Sequence, residues 1–149
     1  MTTRILLNNA DREQFKALLD SYKLPCTVNL TKGKNRSVEQ NKLQRLWINE
    51  AVEQLEDETA EEKRAYCKLH FGVPILRNEN EEFREKYDRI IRPHSYEDKL
   101  TMMALPLDFP VTRLMTTGQK KRYLDDIWMH FSSLGVKLTD PEEKKTEAA

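Results

Sequence analysis

Apolar residues recur along this chain with two periods, one close to two residues and one close to 3.6. Residues 3–8 read as a short strand that ends at Asn8-Asn9. From about Asp11 the spacing turns helical, with Phe15, Leu18, Leu19 and Tyr22 on one face, and Pro25 closes that helix. Thr27, Val28, Asn29, Leu30 and Thr31 are β-prone and lead into the turn-like Lys32-Gly33-Lys34. The opening therefore predicts a strand–helix–strand unit.

Ser37 reads as an N-cap and Gln40 as its capping-box partner, opening a helix that runs to Leu55. Thr59 with Glu62 opens a second helix, which Gly72 and Pro74 are expected to terminate. A third covers about 79–92, with Phe83, Tyr87, Ile90 and Ile91 as its apolar stripe and Glu82–Lys86 and Glu85–Arg89 as outer pairs. Ser95 with Asp98 opens a short helix through Met102 and Met103, and Pro106 and Pro110 bracket a connector. Val111–Met115 can form a strand. Thr116 with Gln119 caps a last helix whose Tyr123, Leu124, Ile127, Phe131 and Leu134 share one face. Gly135 ends it, Val136-Lys137-Leu138 can form a final strand, and a charged tail begins at Asp140. The sum is an α+β fold, helix-rich, with a small sheet built from short segments.

Residues 37–55 carry more than an apolar stripe. At about 100° per residue, Gln40, Asn41 and Gln44 fall on the same side as Trp47, Ile48, Ala51, Val52 and Leu55. An amide on an inner face must find hydrogen-bond partners. Either these amides pin the preceding loop, Lys32–Arg36, or they line a groove and touch a ligand. In both cases Lys32, Lys34 and Arg36 are held in a fixed pose. Lys42 and Arg45 lie on the outer side, as an extension of that charge or as a plain solvated face. Leu43 and Leu46 broaden the apolar surface enough for a subunit contact.

Composition narrows the classes. The chain has 149 residues with equal numbers of acids and bases, so a uniformly basic nucleic-acid binder is excluded. The charge is nevertheless uneven. Lys23, Lys32, Lys34, Arg36, Lys42 and Arg45 face one acid, Glu39, between residues 23 and 45. Arg113, Lys120, Lys121 and Arg122 face none between residues 111 and 124. Two basic islands thus flank a middle of 12 acids and 9 bases (residues 56–100), and a focused field of that kind steers a polyanion at zero net charge. The second island also has a bland reading, because Lys121–Asp125 and Arg122–Asp126 are spaced to neutralise each other. Lys120 falls on the apolar stripe, placed to snorkel toward a phosphate or a carboxylate. Cys26 and Cys67 lack metal-ligand spacing and are expected as buried free thiols in a reducing cytoplasm. No apolar run is long enough to span a membrane, and no metal or cofactor is implied.

The stretch Lys34-Asn35-Arg36-Ser37-Val38-Glu39-Gln40-Asn41, followed by Trp47, resembles the R-N-R-S-x-D-Q-N-x-x-L-W core of the NinB (Orf) family of lambda-type phages. Asn35, Arg36, Ser37, Gln40 and Asn41 match outright, Glu39 replaces the usual Asp, and Trp47 lies further along. Thr112, Met115, Thr116, Thr117 and Gly135-Val136 are similar to the family's C-terminal pattern. The resemblance implies a NinB-like domain over residues 1–139 with a disordered tail at 140–149, and an intertwined homodimer. It implies a non-catalytic recombination mediator in the host cytoplasm, binding single-stranded DNA and helping a recombinase load onto strands coated by single-strand binding protein. The expected DNA contacts are Lys32, Lys34, Arg36, Lys42, Arg45, Arg113, Lys120, Lys121 and Arg122, with Ser37, Gln40 and Asn41 supporting the loop. Two other classes compete. One is a protein-interaction adaptor without DNA binding. The other is a metal-dependent nuclease built on Glu97-Asp98-Lys99 and Asp88, although Ser95 makes that segment a helix start where a nuclease needs a strand. His70, His94 and His130 share no spacing.

Overall fold

The computed structural model describes residues 4–30 and 36–141, the side chains of 36–38 excepted. All regular structure among these residues is helical, so the fold is all-α and the expected α+β class with its sheet is corrected. The helices are α1 (Asn9–Ser21), α2 (Arg36–Leu55), α3 (Ala60–Cys67), α4 (Val73–Glu79), α5 (Glu81–Ile90), α6 (Tyr96–Met103) and α7 (Thr117–Ser133). A π turn, Lys68–Gly72, joins α3 to α4, and a 3-10 turn, Thr112–Leu114, precedes α7. The chain divides into two units, Met1–Glu39 and Gln40–Ala149.

In the first unit, α1 is capped by Asn8, whose side chain accepts from the Asp11 amide. It buries none of its residues. The described parts of the β-prone runs on either side of it form no strand and are exposed, with Leu7 69% and Leu30 81% accessible. Propensity alone does not make a strand; a ladder needs a partner, and none lies beside them among the described residues. Cys26 is exposed rather than buried.

The second unit holds two connected apolar clusters. Trp47, Ile48 and Ala51 of α2 meet Tyr123, Leu124, Ile127 and Phe131 of α7, with Cys67 and Val136. Ala65, Val73, Leu76, Phe83, Tyr87, Met103 and Val111 form the other, and Met115 packs against both. Burial pushes the Cys67 thiol up to about 12, so it is an inert apolar group. Leu134, expected on the inner face of α7, instead forms its C-cap and is exposed.

Gly72 and Pro74 do not stop the helix. The chain stays helical from Ala60 to Glu79, with the Val73 amide donating to Lys68 O one residue further back than in an α-helix. A proline ring clashes with the carbonyl four residues before it, and the wider π turn relieves that clash. Gly72 is there for packing: a Cβ would stand 2.5 Å from Val111 Cγ1 and 3.3 Å from the Tyr123 ring.

The last expected strand also fails for a visible reason. After Gly135 (φ +84) the chain doubles back along α2, and its backbone is satisfied by side chains of that helix. Gln54 donates to Lys137 O and accepts from Lys137 N, both at 2.8 Å. Glu50 accepts from the Thr139 amide and hydroxyl, and Trp47 Nε1 donates to Thr139 O at 2.8 Å. An amide side chain thus stands where a neighbouring strand would. Val111–Met115, likewise read as a strand, forms the 3-10 turn, because Val111 is drawn into the second cluster.

Candidate nucleic-acid interface

α2 and α7 run in the same direction, paired Gln40 with Thr117, Asn41 with Lys120 and Trp47 with Trp128. Their beginnings are tied by two bonds spanning 77 and 79 residues of sequence: Gln40 Nε2 donates to Thr117 O at 3.2 Å, and the Lys120 ammonium donates to Asn41 Oδ1. The inner-face amides of α2 are supports, and their described partners lie on α7. The loop they were expected to pin, with Lys32 and Lys34, falls outside the described residues.

Local folding explains this end of α7. Thr116 and Gln119 form a complete capping box, so the first turn is rigid and its remaining amides point outward. The Ser37 side chain, read as half of a capping box, falls outside the described residues. The helix already includes Arg36, placing Ser37 within its first turn, and Gln40 Oε1 has no hydrogen-bond partner among the described residues. Gln44 is buried as the helical spacing requires.

The sequence-predicted cations divide into groups. Lys42 and Arg45 on α2, Arg113 in the 3-10 turn and Lys121 on α7 are all exposed. Arg122 is exposed too, but its guanidinium is bound to Glu79 at 2.6 Å instead of Asp126. No ion pair joins Lys121 to Asp125 among the described residues, whereas Asp126 still acts electrostatically on Arg122, so the self-neutralising reading of this island holds only in part. Lys120 is buried, with a neutral amide as its partner, and burial pushes its pKa down. It is a strut between two helices, not an accessible phosphate contact. Arg36 belongs to the first turn of α2.

Other charged groups lock the scaffold. The Lys68 ammonium is buried and donates to Met103 O and to Asp108 Oδ1, each at 2.7 Å, while Arg64 binds the same carboxylate oxygen at 2.6 Å. These two cations hold Asp108 below its ordinary value, whereas Lys68 itself is pushed down by burial. The directions are compatible, because Lys68 loses nearly all its hydration and the 37% exposed Asp108 does not. Lys63 is buried in the same way and bound to Asp57 at 2.7 Å. Arg77 grips both oxygens of Asp88 at 2.7 and 3.0 Å, which leaves that carboxylate committed to structure. Glu97 and Asp98 occupy the first turn of α6 behind the Ser95 cap, the helix start anticipated for them.

A feature that sequence spacing concealed is aromatic. Tyr66 stacks on His70 at 4.0 Å and on His130 at 5.2 Å, and His70 Nε2 lies 2.7 Å from the Tyr96 hydroxyl. The only sequence signal was the helical step from Tyr66 to His70. Burial pushes both histidines below their ordinary 6.5, reinforced for His70 by His130 and for His130 by Lys63. Folding stability should therefore be fully present above that value. It should fall as pH drops through 6.5 toward the lowered native values, because the unfolded chain takes up protons first. A second decline should follow below the ordinary carboxylate values of 3.8 and 4.5, as Asp88, Asp108 and Glu79 lose ion pairs that hold them down. Urea midpoints measured from pH 8 to pH 3 would show the two steps, and a flat profile through the first would contradict the packing of the histidines.

No protein-family model, no curated protein and no solved structure matches this chain. Among the described residues no helix is long and apolar enough to cross a membrane. No cluster of three metal-ligating side chains occurs among them either.

Proposed function

We propose that this chain is a phage recombination mediator of NinB type, binding single-stranded DNA without catalysis and assisting a recombinase on strands coated by single-strand binding protein. One observation supports the reading above all. The Gln40–Thr117 and Asn41–Lys120 bonds bring the starts of α2 and α7 together, two segments remote in sequence that each carry basic residues. Lys42 and Arg45 on α2 and Lys121 on α7 are exposed cations, Arg113 precedes α7 in the 3-10 turn, and the α7 amides add the positive end of a helix dipole. Lys32 and Lys34, outside the described residues, precede α2 in the sequence, and Arg36 is its first residue. A homodimer, which doubles every cation, is part of the proposal; α1, which buries nothing within the chain, is available for such a contact.

Titration of labelled single-stranded DNA against salt tests it. Affinity should fall steeply with salt, and Lys42→Gln with Arg45→Gln and Lys121→Gln should flatten the log–log slope by about 2, near 0.7 for each lost phosphate contact. Helical content should be unchanged, since all three side chains are exposed. Wild-type protein that ignores single-stranded DNA favours the adaptor reading instead. Magnesium-dependent cleavage abolished by Glu97→Ala and by Lys99→Ala would restore the nuclease.

A further inference from the structure

Four rings from three separate parts of the sequence meet at the surface of the second unit. Tyr66 comes from α3, His70 from the π turn, Tyr96 from the start of α6 and His130 from α7. Tyr66 is stacked nearly parallel to both histidines, at interplanar angles of 20° and 27°, and Tyr96 stands edge-on to His70 at 5.6 Å. All four lie outside both apolar clusters. His70 is exposed and Tyr96 is 49% accessible, while Tyr66 and His130 are half-buried and brace them from behind. Rings that contribute to the core explain themselves by burial; of these four, His70 and Tyr96 are exposed.

We infer that the Tyr66–His70–Tyr96–His130 surface is a stacking platform for unpaired nucleobases, an inference that rests on the strand-binding reading above. Stacking suits a strand bound without sequence preference, because every base has a π face. The hydrogen bond between His70 Nε2 and the Tyr96 hydroxyl engages the polar atoms that would otherwise read base edges. Neutral imidazoles, favoured by the burial that lowers both histidines, leave the faces uncharged. Charge near the exposed edge is mixed: Arg92, His94 and Lys99 lie within four residues of Tyr96, against Glu97 and Asp98. Asp57 and Glu58 lie beyond His130 and are held by Lys63. A phosphate backbone would run past the Tyr96 end, where Arg92 and Lys99 lie close in sequence.

The test compares two strands of about 20 units, an oligothymidylate and a phosphodiester of abasic units that has no bases to stack. Tyr96→Ala and His70→Ala are made singly in the full chain, with folding checked by circular dichroism. Each should weaken oligothymidylate binding roughly 5- to 100-fold and leave the abasic strand and the salt slope unchanged. If wild type binds oligothymidylate and both variants bind it equally well, the platform is overturned and the strand-binding reading survives. Equal weakening on both strands also overturns it, as does a change in molecular mass without a change in strand affinity, which would make the patch a protein contact. If wild type binds neither strand, both readings fall together.

Discussion

Trp47→Ala should destabilise the protein by about 3–5 kcal/mol, the range for truncating a large buried aromatic. Trp47 is 5% exposed, meets Trp128 edge-to-face at 5.1 Å and donates to Thr139 O. Its removal opens the seam between α2 and α7 and releases the returning segment at once. Trp47→Phe separates the two contributions. It keeps most of the apolar contact and strands one carbonyl, so it should cost about 1–2 kcal/mol. Urea denaturation gives both numbers, and amide exchange at Thr139 reports the segment independently. If Trp47→Ala costs under 1 kcal/mol, the ring does not hold this seam.

The second large effect lies at Asp108, and its sign pattern is more telling than its size. Asp108→Asn removes the carboxylate that serves Lys68 and Arg64 while tolerating the positive φ of 43° there, because asparagine adopts that region readily. It leaves the buried Lys68 ammonium with two neutral acceptors, Met103 O and the new amide oxygen, and no counter-charge. Removing one partner of a fully buried pair costs about 3–5 kcal/mol; exposure of Asp108 to water reduces the expectation here to about 2–3 kcal/mol. Adding Lys68→Met should restore part of the loss, because the stranded charge is gone and the side chain stays apolar. A double variant less stable than Asp108→Asn alone would show that Lys68 acts through its bond to Met103 O and not through the ion pair.

Local signals in the sequence were legible where a few neighbouring residues decide the outcome. The Thr59–Glu62 and Thr116–Gln119 capping boxes form as read, Ser95 caps α6, Gly135 ends α7 with positive φ, and Glu82 pairs with Lys86. The inner-face placement of Gln40, Asn41 and Gln44 also followed from helical phase. Their partners did not, since Thr117 and Lys120 lie nearly eighty positions away. Strand readings failed for the same reason. β-propensity describes a residue, whereas a sheet depends on what comes to lie beside it, and beside Lys137 and Thr139 lies a helix. Proline and glycine at 72–74 read as punctuation because their local cost is high, yet the π turn and the close approach of Val111 and Tyr123 override that cost. The buried lysines 63, 68 and 120 and the convergence of rings around Tyr66 left no periodic trace.

The π turn has a consequence for the azimuth of everything after it. A helix with one surplus residue is rotated beyond the break by about 100° relative to an uninterrupted one. That angular offset keeps Ala65, before the turn, and Val73, beyond it, on the same second cluster along a single rod, Ala60–Glu79. Deleting one residue within Lys68–Gly72 would yield a smoother helix that points its second half the wrong way. A substitution scan would rate the individual side chains of this turn, but the length of the segment is itself the constrained quantity, and length is invisible to any scan that keeps it fixed.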